Sequence, residues 1–401
     1  MIDPANKLLR EQGSGIPIGL WVPPPNRELT EDRYKEVKEA GFTFVLGLSE
    51  YDGTTAFIRK ALDAAHANGL LYLVRDPRLT ELADDELSLV EPYVAEFAGH
   101  PAYAGHLFID EPDMSLFPKL RALKAAYGKA APHGLAYVNL FPTYASDRQR
   151  GGDHEQYVSG FLEQFEPAVL SYDHYPFLTP KPGRTHTITQ DYYTNLRIVS
   201  EAARARNIPF WLFIQTLAFN RSNRDPLEAE IRWQVYTSLA YGAKGIQYFT
   251  YWTPDDGGET FGDAMIDRAG GKTRHYGEVQ RINRDISLIG GVLAQLEPFG
   301  VLAHGSISPP LEGALKSFAP IGRIEGDAAV IGCFRDREGQ PYALVVNESF
   351  TQPGSVRIGL DDSAQAAAVW EDGQKTALRL DQGEFALHLD PGEGKLIAFG
   401  V

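Results

Sequence analysis

The chain has 401 residues, with 38 Lys+Arg against 53 Asp+Glu for a formal charge of −15, and a single cysteine. Its 43% hydrophobic content supplies a large core and excludes disorder as the main state. The acidic balance excludes a nucleic-acid binder, which needs clustered Lys and Arg; the lone Cys333 excludes an intramolecular disulfide and a cysteine zinc cage. No stretch approaches the ~18 apolar residues of a membrane span, and the opening MIDPANKLLREQGSG has no apolar core of a signal peptide. The expectation is a soluble protein without nucleic-acid or membrane partners, cytoplasmic, or exported if a leader was removed before Met1.

Short β-branched and aromatic runs alternate with amphipathic stretches, the pattern of repeated βα units. Eight strands are predicted before residue 260. They are PIGLWV from Pro17, FTFVLGL from Phe42, LLYLV from Leu70, GHLFI from Gly105, LAYVNLF from Leu135, AVLSYDHY from Ala168, PFWLFIQT from Pro209 and GIQYFTYW from Gly245. Their starts lie about 25 to 40 residues apart, room for one crossover helix each. Helix signals fill the gaps. Thr30 precedes EDRYKEVKEAG with Glu31 and Asp32 in the first turn, and Gly41 and Gly69 end two helices. The prediction is an α/β protein, a (β/α)₈ barrel over residues 1–296 whose last helix runs to about Leu296. Beyond it, short alternating runs such as AAVIGCF, YALVVNES and KLIAFGV predict a C-terminal antiparallel β-sandwich over 297–401. Trp370 and Tyr342 there read as packing residues, and the sandwich as a cover for the barrel or a contact in a homo-oligomer.

The active site of such a barrel lies at the C-terminal ends of its strands. Strand one ends in Trp21, Pro23 and Asn26, strand two leads to Ser49, Glu50 and Asp52, and strand three to Arg75 and Asp76. Strand four ends in Asp110-Glu111-Pro112. Strand five offers Asn139 and Tyr144, and strand six Tyr172, Asp173, His174 and Tyr175. Strand seven ends at Gln215-Thr216; strand eight gives Tyr251, Trp252, Asp255 and Asp256, with Glu259 in the loop beyond. This rim joins carboxylates to aromatic rings with little positive charge. A phosphorylated substrate would want Arg, Lys or a glycine-rich loop before a helix, whereas neutral sugars want rings to stack on and carboxylates to move protons. The rim therefore points to a carbohydrate substrate.

Asp110-Glu111 is the sharpest feature. Glycosidic cleavage needs a carboxylic acid to protonate the leaving oxygen, with its pKa raised by burial or a like charge. Two adjacent acids at a strand end supply that repulsion. The plainer role, capping the next helix, falls better to Asp113. Asp173 is the candidate second carboxylate, its plainer role being a hydrogen bond to loop backbone. His174 has no accompanying metal-ligand spacing, so no metal and no cofactor are expected. Trp21, Asn139, Tyr172, Tyr175, Gln215, Tyr251, Trp252 and Glu259 are the candidate sugar-binding residues, with Trp252 the preferred stacking ring.

The stretch PFWLFIQT…YTSLAYGAKGIQYFTYWTPDDGGETFGDAMIDRAGG resembles the last two barrel strands of β-galactosidase-type glycoside hydrolases, with Glu259, Phe261 and Met265 matching a segment after strand eight. The early TEDRYKEVKEAGFTFV is also similar to the first helix and second strand of such barrels. The resemblance spans about residues 15–295 and implies a barrel with a later β-domain and a glycosidase activity.

Two departures matter. The family's strand-four motif is Asn-Glu, with Glu as general acid/base, where this chain has Asp110-Glu111. Its nucleophilic Glu ends strand seven, where this chain has Ile214-Gln215-Thr216, and an amide cannot act as that nucleophile. Three readings follow. The preferred one is retaining, substrate-assisted hydrolysis of a terminal β-N-acetylhexosaminide (GalNAc or GlcNAc), because the Asp-Glu pair is similar to that of β-N-acetylhexosaminidases. Glu111 is then the acid/base, Asp110 orients the acetamido group, and Tyr172, Tyr175 or Tyr251 holds its carbonyl. The alternative is a β-galactosidase-type enzyme with Glu111 and Asp173 as the two carboxylates. The third is a sugar-binding protein on a degenerate barrel.

Overall fold

The computed structural model describes residues 6–12, 15–48, 54–183 and 187–400. Ser49, Glu50 and Asp52 lie outside the described residues.

The eight predicted strands are β1 (Ile18–Leu20), β2 (Phe44–Leu46), β3 (Leu71–Val74), β4 (Tyr103–Asp110), β5 (Leu135–Leu140), β6 (Leu170–Asp173), β7 (Phe210–Gln215) and β8 (Gly245–Phe249). They pair in parallel in chain order, and β8 returns to β1 to close the barrel. The helices are α1 (Lys7–Gln12), α2 (Glu31–Glu39), α3 (Thr55–Ala67), α4 (Pro77–Glu81), α5 (Val90–Ala98), α6 (Phe117–Ala130), α7 (Asp147–Arg150), α8 (His154–Gln164), α9 (Tyr192–Arg206), α10 (Glu228–Ala240) and α11 (Arg274–Leu293). The local signals act as expected. Thr30 caps α2 by accepting from the Arg33 amide, and Gly41 and Gly69 take positive φ just past α2 and α3.

Alternation along each strand divides the side chains between two cores. Phe44, Leu46, Leu73, Leu107, Tyr137, Trp211 and Phe213 fill the barrel interior, and Leu8 and Leu9 of α1 join them. The interior alternates large with small. A Cβ on Gly19 would meet the Phe44 ring at 2.3 Å, and one on Gly245 the Trp211 ring at 2.6 Å. Outward residues such as Val45, Val138, Leu212 and Ile246 pack against the helices.

After the barrel come β9 (Glu297–His304), β10 (Ile321–Gly326), β11 (Ala329–Arg335), β12 (Pro341–Asn347), β13 (Gly354–Leu360), β14 (Ala366–Glu371), β15 (Gln374–Ala377), β16 (Glu384–Leu389) and β17 (Gly394–Gly400). They form antiparallel sheets in the orders β10-β13-β16 and β15-β14-β17-β12-β11-β9. Ile331, Cys333, Val345, Ile358 and Leu387 form the core between the sheets, while Val330, Leu344, Val346 and Leu396 join the barrel's outer core. The sheet covers α9 and α10. Tyr193 donates to Glu348 at 2.6 Å, and Trp233 lies edge-on to Phe350 at 5.6 Å. Tyr342 and Trp370 are packing residues in this outer core, as expected.

Candidate active site

Two adjacent strand residues ordinarily face opposite sides of a sheet, yet Asp110 and Glu111 both line one cavity. Two local departures explain this. The β4–β5 register shifts between Leu107 and Ile109, leaving Ile109 against the outer core and Asp110 on the inner face. Glu111 then takes φ 47° while its amide donates to the Asn139 carbonyl at 2.9 Å, turning its side chain inward as well. A left-handed conformation is costly for a residue with a Cβ and persists where the surroundings hold it. Tyr157 donates to the Pro112 carbonyl at 2.7 Å, fixing the next residue. Asp113 caps the following turn by accepting from the Ser115 amide at 2.7 Å, the role assigned to it from sequence.

The cavity has a volume of about 360 Å³ and lies at the C-terminal ends of the strands. Trp21, Asp110, Glu111, Asn139, Asp173, Tyr175 and Glu259 all line it, so seven of the eleven candidates from sequence meet there. Phe141, Pro142, Tyr144, Ala145, Gln149, Phe213, Phe219, Asn220 and Phe249 also line it, and among the described residues none that lines it is basic.

The acids are wired to one another. Asn139 Nδ2 donates to Asp110 Oδ1 at 3.1 Å and to Asp173 Oδ1 at 3.0 Å. The Glu111 carboxyl hydrogen-bonds the Asp173 carboxyl directly. Burial raises the Glu111 pKa far above the ordinary carboxylate range, and the charges of Asp173 and Asp110 raise it further. Burial and Asp110 raise Asp173 as well, and it stays well above the ordinary carboxylate range although the Asn139 amide and the Glu111 contact pull it back. The two carboxyls therefore titrate as a pair that keeps at least one proton at neutral pH.

The opposite wall is aromatic. Trp21 lies edge-on to Phe213 at 5.6 Å, and Tyr175 sits 5.0 Å from Phe249 and 5.3 Å from Phe219. Tyr144 stands at the mouth, 46% exposed, with its ring 4.9 Å from His174. The loops after β7 and β8 join to close one side. Asn220 donates to the Thr260 carbonyl at 2.8 Å through its amide and to Glu259 Oε1 at 2.5 Å through its side chain.

Four candidates from sequence do not reach the cavity. Tyr172 alternates with Ser171 and Asp173, so it points outward and is buried in the outer core. Gln215 is fully buried and its amide serves backbone: Oε1 accepts from the Phe177 amide at 3.0 Å, and Nε2 donates to the Arg224 carbonyl at 2.8 Å. Tyr251 and Trp252 follow the end of β8 at Phe249, where their amides bond the Trp21 and Val22 carbonyls and Trp252 also bridges to Ile266. Tyr251 packs edge-on to Phe42, and the Trp252 ring lies under the Arg33 guanidinium at 5.4 Å, so neither stacks a sugar. Elsewhere on the rim, Asp76 caps α4 and pairs with Arg78 at 2.7 Å, and Asp256 pairs with Arg268 at 2.7 Å. His174 turns away from the cavity to Asn195 at 2.9 Å and Thr189 at 2.6 Å.

Among the missed lining residues, Phe213 was readable by alternation from Trp211. Phe219 and Asn220 come from a loop whose path no local pattern encodes. Among the described residues no group of three or more His, Cys, Asp or Glu is arranged to hold a metal, and no helix is long and apolar enough to cross a membrane.

Residues 161–289 match the family model described as β-galactosidase, glycoside hydrolase 42. No curated protein matches the chain. Among solved structures, a GH42 β-galactosidase from G. stearothermophilus, solved as a catalytic mutant, is similar at 8% identity, with 96% of this chain and 98% of that chain covered and a TM-score of 0.64. The β-galactosidase of the psychrophilic Marinomonas ef1 is similar at 12% identity, 71% and 62% coverage, and a TM-score of 0.54. That of the Antarctic haloarchaeon Halorubrum lacusprofundi is similar at 13% identity, 69% and 59% coverage, and a TM-score of 0.55. The chain thus spans about 60% of the length of these last two. The second half of the barrel, from β6 through most of α11, carries the glycoside hydrolase 42 β-galactosidase match, on a fold that GH42 β-galactosidases share.

Proposed function

We propose that the protein is a glycoside hydrolase acting on a terminal β-galactoside-type sugar, with Glu111 and Asp173 as its two carboxylates. The observation that carries this is the contact between the Glu111 and Asp173 carboxyls, both with pKa raised by burial, inside a cavity whose described lining residues include no basic one. In this reading Glu111 supplies the proton a leaving oxygen needs, and Asp173 acts as the carboxylate once its own proton is lost. In cleavage the Glu111 O–H proton goes to the glycosidic oxygen as the bond from that oxygen to the anomeric carbon breaks. Asp173 then either bonds the anomeric carbon or takes a proton from the attacking water.

The two carboxyls are in hydrogen-bond contact, closer than the ~5–5.5 Å of retaining and the ~6.5–9.5 Å of inverting enzymes. A sugar must therefore enter between them. Asn139 holds Asp173 from below, so the longer Glu111 side chain is the one that swings aside. The separation reached then sets the stereochemistry, which proton NMR of the first-formed anomer reads directly.

The β-galactosidase family match supports this reading over the β-N-acetylhexosaminide reading preferred from sequence. So does the loss of two of the three tyrosines named to hold an acetamido carbonyl: Tyr172 and Tyr251 are buried outside the cavity. The test is a panel of aryl β-galactoside, β-glucoside, β-GlcNAc and β-GalNAc. The β-galactoside is expected to turn over fastest. Preferential hydrolysis of a 2-acetamido substrate with tight thiazoline inhibition would overturn the proposal in favour of substrate assistance.

A further inference from the structure

Below the carboxylates the barrel interior holds a buried polar group that the proposed reaction does not use. Tyr137, Ser171 and Gln247, on β5, β6 and β8, are all buried among apolar side chains. Buried hydroxyls and amides cost free energy unless paired, so three together on inward positions need an account. The Tyr137 hydroxyl lies 2.6 Å from Ser171 Oγ and donates to Gln247 Oε1 at 2.8 Å. Gln247 Nε2 donates to Ser171 Oγ at 3.2 Å, and Ser171 Oγ donates to Asn139 Oδ1 at 2.9 Å.

Gln247 Oε1 accepts from Tyr137, which leaves its Nε2 to face Ser171. Ser171 thus receives a hydrogen from Gln247 and has its own to give, and the acceptor above it is Asn139 Oδ1. With that oxygen held downward, Asn139 Nδ2 faces up, where it donates to both Asp110 and Asp173.

We propose that Ser171, set by Tyr137 and Gln247, is a positioning residue whose hydroxyl fixes the orientation of the Asn139 amide and so keeps hydrogen-bond donors under Asp110 and Asp173. Without it the buried Asn139 oxygen loses its donor, and the amide is held less firmly in the orientation that serves both acids. A weaker donor stabilises the ionised form of Asp173 less, so a proton is retained there to higher pH. The inference rests on the proposed roles of Glu111 and Asp173 and extends them three residues into the core. The groups around Asp173 are Asp110 and Glu111 from β4, Asn139 from β5, and Tyr144, Tyr175 and Glu259 around the cavity. His174 faces away, toward Asn195 and Thr189, and Ser171 is the donor to Asn139 from below.

The test compares wild type with Ser171→Ala in two readouts: the acidic limb of the kcat/KM profile on an aryl β-galactoside, and carbon-13 carboxyl titration of Asp173 in the full chain. Both are expected to move up by on the order of one pH unit, the size of a hydrogen bond to a charged group. A purely structural role would lower the rate equally at all pH and leave both titrations in place, and that result would overturn the proposal. Tyr137→Phe removes one oxygen from a buried ring and frees the Gln247 amide to take the Ser171 proton. It is expected to give a smaller shift in the same direction, and an unmoved titration there would count against the proposal even if Ser171→Ala does not fold. A carboxyl titration that shifts in a protein hydrolysing no β-galactoside would sink the functional reading while leaving the positioning role standing.

Discussion

Glu111, at the end of β4, hydrogen-bonds Asp173, at the end of β6, carboxyl to carboxyl, and burial raises the pKa of both. Two carboxyls in contact cannot both ionise without strong repulsion, so the pair keeps at least one proton at neutral pH. A retained acid is what protonation of a glycosidic oxygen requires.

Replacing Glu111 with Gln removes the proton donor while preserving shape. The variant is expected to lose about 10²–10⁴-fold in kcat, and least with leaving groups acidic enough to depart unassisted. Steady-state kinetics on aryl glycosides of graded leaving-group pKa checks this. A loss that is the same for every leaving group would contradict the acid role.

Asp110 accepts from the same Asn139 amide as Asp173, and its charge raises both Glu111 and Asp173. Asp110→Asn is therefore expected to change turnover of a β-galactoside by less than about tenfold, since an amide keeps the hydrogen-bond capacity of the position. Removing its charge also removes one of the causes that raise Glu111 and Asp173, so both limbs of the pH–rate profile are expected to move to lower pH. A collapse of activity comparable to that of Glu111→Gln would point back to an acetamido substrate.

The raised pKa of Glu111 makes a stability prediction of definite sign. An acid that binds its proton more tightly folded than unfolded favours the folded state while both forms are protonated. That advantage is lost as pH climbs above the ordinary value of 4.5 and through the folded value, which lies well above it. Wild type should therefore lose more stability than Glu111→Gln between mildly acid and alkaline pH. A Tm difference growing in favour of the variant by about 2 °C or more, the shift expected of ~1 kcal/mol, is the measurement. For activity, the same shift keeps the acid protonated at neutral pH, so the alkaline limb of kcat/KM should fall far above that of an ordinary glutamate.

Gln215 occupies the strand-seven end where the β-galactosidase-type sequences carry a nucleophilic Glu, and restoring that residue is not expected to restore a nucleophile. Its Nε2 donates to the carbonyls of Phe177, Leu217 and Arg224, so a carboxylate there would face three carbonyl oxygens. Gln215→Glu is expected to destabilise the fold by roughly 1–3 kcal/mol without raising turnover. Chemical denaturation and an aryl β-galactoside assay decide it. A stable variant with enhanced activity would show that the side chain can turn into the cavity.

The barrel was legible because its signals are local: eight apolar runs at regular spacing, with a cap such as Thr30 or a stop such as Gly41 between them. Asp110, Glu111, Asn139 and Asp173 were legible because polar residues at strand ends have few other uses. Four rim positions are not legible from strand ends alone. Tyr172 lies between two inward residues and must face out, and Tyr251 and Trp252 lie beyond the end of β8 at Phe249. Gln215 differs for another reason. The backbone groups that claim its amide come from Phe177, Leu217 and Arg224, a convergence that only tertiary structure reveals. The inward turn of Glu111 depends on a register shift and a left-handed backbone, neither of which has a glycine or other local marker.

The central claim is that Asp173 is the partner of Glu111. Its most direct test is kcat on an aryl β-galactoside for Asp173→Asn, measured beside wild type at the pH optimum. The account predicts a fall of about 10³-fold or more, because the amide can neither bond the anomeric carbon nor take a proton from water. Turnover within tenfold of wild type would contradict it.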